Sequence, residues 1–220
     1  TVSLAFFAVV AWLVVRWCDD PDAPGAERLL VLAAYLVALG YTNHPAGFLV
    51  APAVLTGVVL RRPRVLLDGR LLVRGALAFA LGLTPFAVLP IRAAHHPPMN
   101  QGAISACADG PRLACTFSAE TWRRLAAHVG REQHAKPPLA ERQAPLGAQF
   151  GMWWQYFRWQ WLRDAHAERG GVQSALAAAF LALGLLGGWV HLRRDRASFG
   201  FFGPLVLSVT AALVVYMDFK

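Results

Sequence analysis

The chain has 220 residues, of which 56% are hydrophobic and 15% charged, and its formal net charge is +8. Because an ordinary soluble domain has about 25% charged residues, this composition indicates that lipid surrounds much of the chain. The positive charge does not indicate nucleic-acid binding, since the basic residues lie in short clusters between apolar runs rather than along one soluble face. The sequence also lacks a phosphate-binding loop, a dinucleotide-binding glycine motif and a nucleophile elbow, so soluble-enzyme chemistries have no support.

Apolar residues are concentrated in six runs, and a helix needs about 20 such residues to span a bilayer. The runs cover residues 2–15, 29–41, 46–60, 71–91, 172–190 and 199–216. They predict an all-α fold, a multi-pass transmembrane helical bundle. The second and third runs are short, so their helices should borrow flanking residues, tilt through a thinned bilayer or form a hairpin embedded partly in protein. The fourth run is long enough to span the bilayer, with Pro85 and Pro90 kinking its far half.

Two arginine clusters, at residues 61–64 and 191–196, indicate how the bundle is oriented. Short loops rich in Arg or Lys tend to stay in the cytoplasm, and two crossings separate the clusters, so both fit the cytoplasmic side. Residues 1–91 are therefore predicted to form transmembrane helices, 92–171 an extracytoplasmic loop and 172–220 further transmembrane helices. Because the chain starts and stops close to apolar runs, we interpret it as a single membrane domain truncated at both ends.

The extracytoplasmic loop should contain two helices of different character. Ser118 is placed to cap an amphipathic helix in which Trp122, Leu125 and Val129 recur at helical spacing. Further along, seven aromatic residues fall within residues 150–161. Aromatic rings with a polar edge prefer the boundary between membrane and water, so this second helix is predicted to lie at the outer surface of the bilayer.

The three cysteines fall on different sides of the predicted membrane. Cys18 lies on the cytoplasmic side, whereas Cys107 and Cys115 flank a turn sequence in the outer loop. In an oxidising compartment the outer pair could form a disulfide across this small loop. The alternative is two unpaired thiols in the same loop.

Histidines mark two junctions at the predicted outer face. His44, which follows Asn43 and precedes Pro45, either caps the connection between two apolar runs or contacts a ligand. His95 and His96 are adjacent, so their side chains point in different directions and do not make a ready metal site. They either end a helix at the membrane surface or contact a polar substrate, and no metal-ligand motif supports a metal there.

Four phrases resemble, in order, a bacterial multi-pass membrane family whose eukaryotic relatives are protein O-mannosyltransferases. They are "TNHPAGFLVAPA", "LTPFAVLPIRAAHHPPMNQG", "TWRRLAAHVGREQH" and "ERQAPLGAQFGMWWQYFRWQW". The resemblance implies an integral membrane glycosyltransferase of the GT-C class in the bacterial inner membrane. Such an enzyme takes sugar from a polyprenyl-phosphate donor at the extracytoplasmic face and passes it to a polypeptide or other acceptor there. The resemblance also implies that the catalytic carboxylate precedes Thr1. We expect no cofactor and no metal.

In such a reaction, negative charge develops on the leaving phosphate and needs a cation or several hydrogen-bond donors nearby. Arg92 and Arg131 are predicted to supply the cation, with Arg158 as a further candidate. The predicted substrate-binding residues are His44, Arg92, Asn100, Arg131 and Gln133, and Gln101 could also bond to sugar or phosphate oxygens.

Two other functions stay open. A transporter or flippase of a lipid-linked or small polar solute would place polar groups near the middle of the membrane. A non-catalytic assembly subunit would use its aromatic helix to dock partners or lipid. An enzyme should instead gather its polar groups at the outer end of the bundle.

Overall fold

The computed structural model describes residues 2–98, 104–130, 132, 144–161 and 170–216. Every regular element in these residues is helical, which confirms the all-α prediction. The α-helices are α1 Val2–Asp19, α2 Glu27–Asn43, α3 Ala51–Arg61, α4 Gly69–Gly82, α5 Pro85–Ala94, α6 Leu113–Thr116, α7 Ala119–Val129, α8 Leu146–Arg158, α9 Gly170–Arg194 and α10 Arg196–Ala211. Short 3₁₀ helices, Pro45–Val50 and Pro63–Leu67, precede α3 and α4, and a π-helical turn, Ala212–Tyr216, follows α10.

Three segments of the described chain are long and apolar enough to cross a membrane: Val2–Asp19, Gly69–Ala94 and Gly170–Arg194. Pro45–Arg61 is a shorter apolar helix. α2 has 17 residues and includes the polar residues at both ends of its apolar run. At 1.5 Å per residue a helix of that length reaches roughly 25 Å. The chain is an all-α helical membrane bundle.

The fourth apolar run is divided into two helices, where the sequence predicted one kinked helix. α4 ends at Gly82 and α5 begins at Pro85. Pro85 has no N–H to donate to the preceding turn, and the Thr84 hydroxyl donates instead to the Leu81 carbonyl at 2.8 Å. Pro90 lies inside α5, which continues to Ala94.

The main core lies where α1, α2, α3 and α10 meet. Its fully buried side chains include Val10, Val14, Trp17 and Phe201. Glycines allow close approach elsewhere: a methyl group on Gly47 would lie 2.3 Å from the Gly40 carbonyl oxygen. Small residues at such crossings let backbones pack closely in membrane bundles.

Contacts along α3 and α10 place both arginine clusters at one end of the bundle. Leu60 lies against Gly200, whereas the Ser208 hydroxyl donates to the Leu49 carbonyl at 2.7 Å. The two helices therefore run antiparallel, and residues 61–64 lie at the same end as residues 191–196. At that end Arg62 forms an ion pair with Asp22. We call it the arginine end.

The opposite end contains the connection between α2 and α3 and the long loop region. The Asn43 amide donates to the Ser3 hydroxyl at 3.3 Å, and the rings of Tyr41 and Phe86 are 5.7 Å apart. α8 packs against the turn Ala212–Tyr216 at the same end. We call it the loop end. Both arginine clusters lie at one end of the bundle, as the sequence predicted. Which end faces the cytoplasm stays a prediction.

Replacing Gly47 by Ala should lower the free energy of unfolding by about 1–3 kcal/mol, because the added methyl group collides with backbone that cannot rotate away. Thermal unfolding of the purified protein in detergent measures the change. Gly184→Ala is the matched control, since a methyl group there meets nothing within 4 Å. Equal unfolding temperatures for the two variants would contradict the close approach.

Candidate functional site

His44 has a structural role at the loop end. Its backbone is extended, and its Nδ1 atom accepts a hydrogen bond from the Ala46 N–H at 3.1 Å, which caps the 3₁₀ helix Pro45–Val50. A cap of this kind satisfies a backbone donor that has no partner within the helix. The structure therefore supports the capping alternative for His44. The side chain is also exposed, so a ligand at this end could reach it.

Arg92 is presented in the last turn of α5, at the loop end. The next residue, Ala93, is buried against Ile104 and Leu125, so α5 is held by the loop region and α7. Arg92 is exposed beside this contact. This position fits the predicted contact with a ligand at the membrane surface.

His95 and His96 end α5. His95 is the residue after the helix, and His96 has a positive φ of 47°, a backbone conformation in which His is enriched among non-glycine residues. Both side chains are exposed. The described residues hold no group of three or more His, Cys, Asp or Glu side chains that could bind a metal ion.

A compact unit covers the end of α5. Cys107 and Cys115 form a disulfide, the first of the two alternatives that the sequence left open. The hydroxyl of the buried Thr121 accepts from the Ala106 N–H at 3.0 Å and donates to the Cys115 carbonyl at 2.7 Å. Ser118 caps α7 through the Thr121 N–H, as predicted. These bonds fix α6 and α7 together above α5.

Glu120 is an acidic side chain in this unit, and it is held by arginines of its own helix. The Arg124 Nε atom donates to it at 2.8 Å, and Arg123 forms a second ion pair. The hydrogen bond from Arg124 lowers the pKa of Glu120. A carboxylate with a lowered pKa holds a proton less tightly and is therefore a weaker base. Glu120 is thus poorly suited to take a proton from a substrate.

A second polar cluster lies between α8 and α9. Arg158, in the last turn of α8, donates from Nη1 to the Ser174 hydroxyl of α9 at 3.4 Å. Its Nε atom is buried, as is the indole nitrogen of Trp161, and in the described part of the chain neither has a hydrogen-bond partner. Trp161 stacks on Phe180 with ring centroids 3.8 Å apart, which fixes the indole. The cluster thus offers a cation and a neutral donor that are largely removed from water.

The structure brings together only part of the predicted site. His44, Arg92 and Arg158 all lie at the loop end, whereas Asn100, Gln101, Arg131 and Gln133 lie outside the described residues. Sequence reasoning missed the hydrogen bond from Arg158 to Ser174 and the stacking of Trp161 on Phe180. A polar Gln-Ser pair at the start of the apolar run of α9 is the signal that could have indicated Ser174.

A cavity of about 400 Å³ between α2, α3 and α4 offers no comparable chemistry, because its lining residues are apolar or glycine. Such a cavity can hold a hydrocarbon chain but cannot stabilise charge. The candidate site is therefore the loop end, with the Arg158 cluster as its most developed part.

Residues 1–66 match the family model described as Protein O-mannosyl-transferase TMEM260 N-terminal domain. The matched stretch contains α1, α2, α3 and His44, and it ends before Arg92 and Arg158. No curated protein and no solved structure matches the chain. The match relates the first part of the bundle to a protein O-mannosyltransferase family.

Replacing His44 by Ala should lower the free energy of unfolding by about 1 kcal/mol, because the Ala46 N–H loses its cap. His44→Asn should keep the stability, since the Asn side chain also caps helix starts well. Thermal unfolding of both variants in detergent tests this role. If His44→Asn is as unstable as His44→Ala, the imidazole does more than cap the turn.

Proposed function

We propose that the chain is part of an integral membrane glycosyltransferase, similar to protein O-mannosyltransferases, that acts at the loop end. The donor is a polyprenyl-phosphate sugar, and the acceptor is a polypeptide or another extracytoplasmic molecule. The observation that carries the proposal is the match of residues 1–66 to the N-terminal domain of a protein O-mannosyltransferase family. We place the enzyme in the bacterial cytoplasmic membrane, with the loop end outside.

The chemistry needs a group that stabilises the leaving phosphate. The acceptor hydroxyl gives its proton to a carboxylate base, and its oxygen forms a bond to the anomeric carbon. The bond from that carbon to the phosphate oxygen breaks, and the phosphate keeps the electron pair. Its added negative charge is best stabilised by donors that are already in place and shielded from water. The Arg158 cluster contains donors of this kind.

Arg158 fits the requirement through its unused donors. A guanidinium has five N–H groups in a planar fork that matches phosphate oxygens, and in the described residues one hydrogen bond, to Ser174, is assigned to it. In the described residues the buried Nε atom of Arg158 and the indole N–H of Trp161 lack hydrogen-bond partners, and we propose that a bound phosphate supplies them. Arg92 supplies a second cation at the same end of the bundle.

The distribution of buried polar side chains supports an enzyme over a transporter. Those in the described chain are Thr116, Thr121, Gln149 and Gln173. Thr116 and Thr121 belong to the unit above α5, and Gln173 lies in the first turn of α9, at the loop end. A transporter would place such groups near the middle of the membrane, where a substrate must pass.

Replacing Arg158 by Gln should reduce kcat by about 10²–10³-fold, because the leaving phosphate loses its charged donor. The assay uses the full-length protein in nanodiscs, polyprenyl-phosphate mannose as donor and an acceptor peptide. Arg158→Lys keeps the charge without the planar fork and should retain an intermediate rate.

Arg123→Gln is the matched control for charge, since Arg123 is exposed and bonded to Glu120 on its own helix. It should leave the rate unchanged. A normal rate in folded Arg158→Gln would contradict the assignment of Arg158. Absence of any transfer by the wild-type protein from several polyprenyl-phosphate sugars would contradict the proposed function itself.

A further inference from the structure

A cleft opens between α2 and α4 at the arginine end, away from the candidate site. Its volume is about 870 Å³, and it contains two arginines, Arg28 and Arg74, together with Glu27. Leu77 and Leu81 continue its wall toward the middle of the bundle. The cleft therefore combines a charged mouth with an apolar channel.

The two helices build the cleft with the same spacing of residues. α2 and α4 run in the same direction, since Arg74 shares the cleft with Arg28 and Gly82 packs against Tyr35 further along. Each helix begins the cleft with an arginine and follows it with side chains three, four and seven residues later, on the same face. These are Val31, Leu32 and Tyr35 on α2, and Leu77, Ala78 and Leu81 on α4.

Arg28 and Arg74 differ from the arginines that are held in ion pairs. Arg62, Arg123 and Arg124 each have a carboxylate partner. For Arg28 and Arg74 the described residues provide no hydrogen bond or ion pair, although Arg74 belongs to the segment Gly69–Ala94 that is apolar enough to cross a membrane. A cation in a membrane-spanning helix normally pairs with another group or faces a polar site.

Charge and shape together indicate what fills the cleft. Two arginines and one glutamate give the cleft a net charge of +1, which one phosphodiester would neutralise. The apolar wall is open to its surroundings, with Leu32 45%, Leu77 66% and Leu81 61% exposed. Because Leu77 and Leu81 belong to the membrane-crossing segment Gly69–Ala94, this wall faces hydrocarbon while the arginines lie at its mouth, which matches the layout of a phospholipid better than that of a soluble phosphate.

We propose that this cleft binds one anionic glycerophospholipid from the leaflet at the arginine end. Its phosphate lies between the guanidinium groups of Arg28 and Arg74, which can each donate two hydrogen bonds to phosphate oxygens. One acyl chain lies along Leu32, Leu77 and Leu81. The arginine clusters predict that this end faces the cytoplasm, and basic residues at a membrane surface attract anionic lipid headgroups. The site does not depend on the proposed glycosyl transfer.

Native mass spectrometry of the full-length protein tests the proposal directly. Purified protein in detergent is titrated with phosphatidylglycerol or, for comparison, with phosphatidylcholine. The wild-type protein should bind one phosphatidylglycerol with at least tenfold preference. The double variant Arg28→Gln/Arg74→Gln should lose this preference and keep its weak binding of phosphatidylcholine.

The matched control is Arg64→Gln/Arg70→Gln, which removes the same charge from exposed positions at the same end but outside the cleft. It should change phosphatidylglycerol binding by less than twofold. An equal loss in both double variants would overturn the proposal, because binding would then follow general surface charge. Unchanged binding in Arg28→Gln/Arg74→Gln would also overturn it.

Two further outcomes would identify a different occupant and overturn the proposal. If millimolar inorganic phosphate displaces phosphatidylglycerol, the cleft is an anion site that does not use the acyl chain. If the wild-type protein is a dimer that binds no lipid, and Arg28→Gln/Arg74→Gln makes it monomeric, a second copy fills the cleft.

Discussion

A bilayer has no water to satisfy polar groups, so every backbone donor and every charge must find a partner or lie at a membrane surface. In this chain that constraint separates the charges into two ends. At the arginine end, side chains in the turns give the backbone donors their partners. Asp68 follows the first arginine cluster and Asp195 lies within the second, and each accepts hydrogen bonds from the first backbone N–H groups of the next helix, α4 and α10. The arginine clusters stay at the turns while the aspartates start the helices that follow them.

The loop end satisfies the same constraint with different chemistry. Helix caps by His44 and Ser118, the disulfide between Cys107 and Cys115, and the hydrogen bonds of Thr121 fix the backbone outside the membrane-spanning helices. Arg158 stands apart, because it is partly buried next to Ser174 with unused donors. Partly buried donors of this kind are what the proposed chemistry needs, and they lie at the loop end.

Much of the fold could be predicted because it depends on local pattern. The six apolar runs fall in helices, and the Ser118 cap and the aromatic helix α8 lie where their sequences indicate. Pro85 was expected to kink the fourth run, and the helix breaks there, between Gly82 and Pro85. The close packing of Gly82 against α2 was not expected; an added methyl group would lie 2.5 Å from the Tyr35 carbonyl oxygen. Sequence pattern alone does not show which glycine marks such a contact.

The candidate site was less predictable, because it joins residues far apart in the chain. Arginine at a membrane surface suggested Arg92 and Arg158, but the hydrogen bond from Arg158 to Ser174 depends on how α8 packs against α9. The same is true of the cleft between α2 and α4. Arg28 and Arg74 each look like ordinary end-of-helix cations until the helices are placed side by side.

The central claim is that the two ends of the bundle face opposite sides of the membrane, with the loop end outside. Single cysteines introduced at Leu67, which is 84% exposed at the arginine end, and at Arg123, which is 77% exposed at the loop end, test it directly. Sealed vesicles of known orientation are treated with a membrane-impermeant maleimide, in a background with Cys18 replaced by Ser. We expect the cysteine at position 123 to react from the outside and the one at position 67 to react only after the membrane is opened. Reaction of both from one side, or the reverse order, would contradict the account.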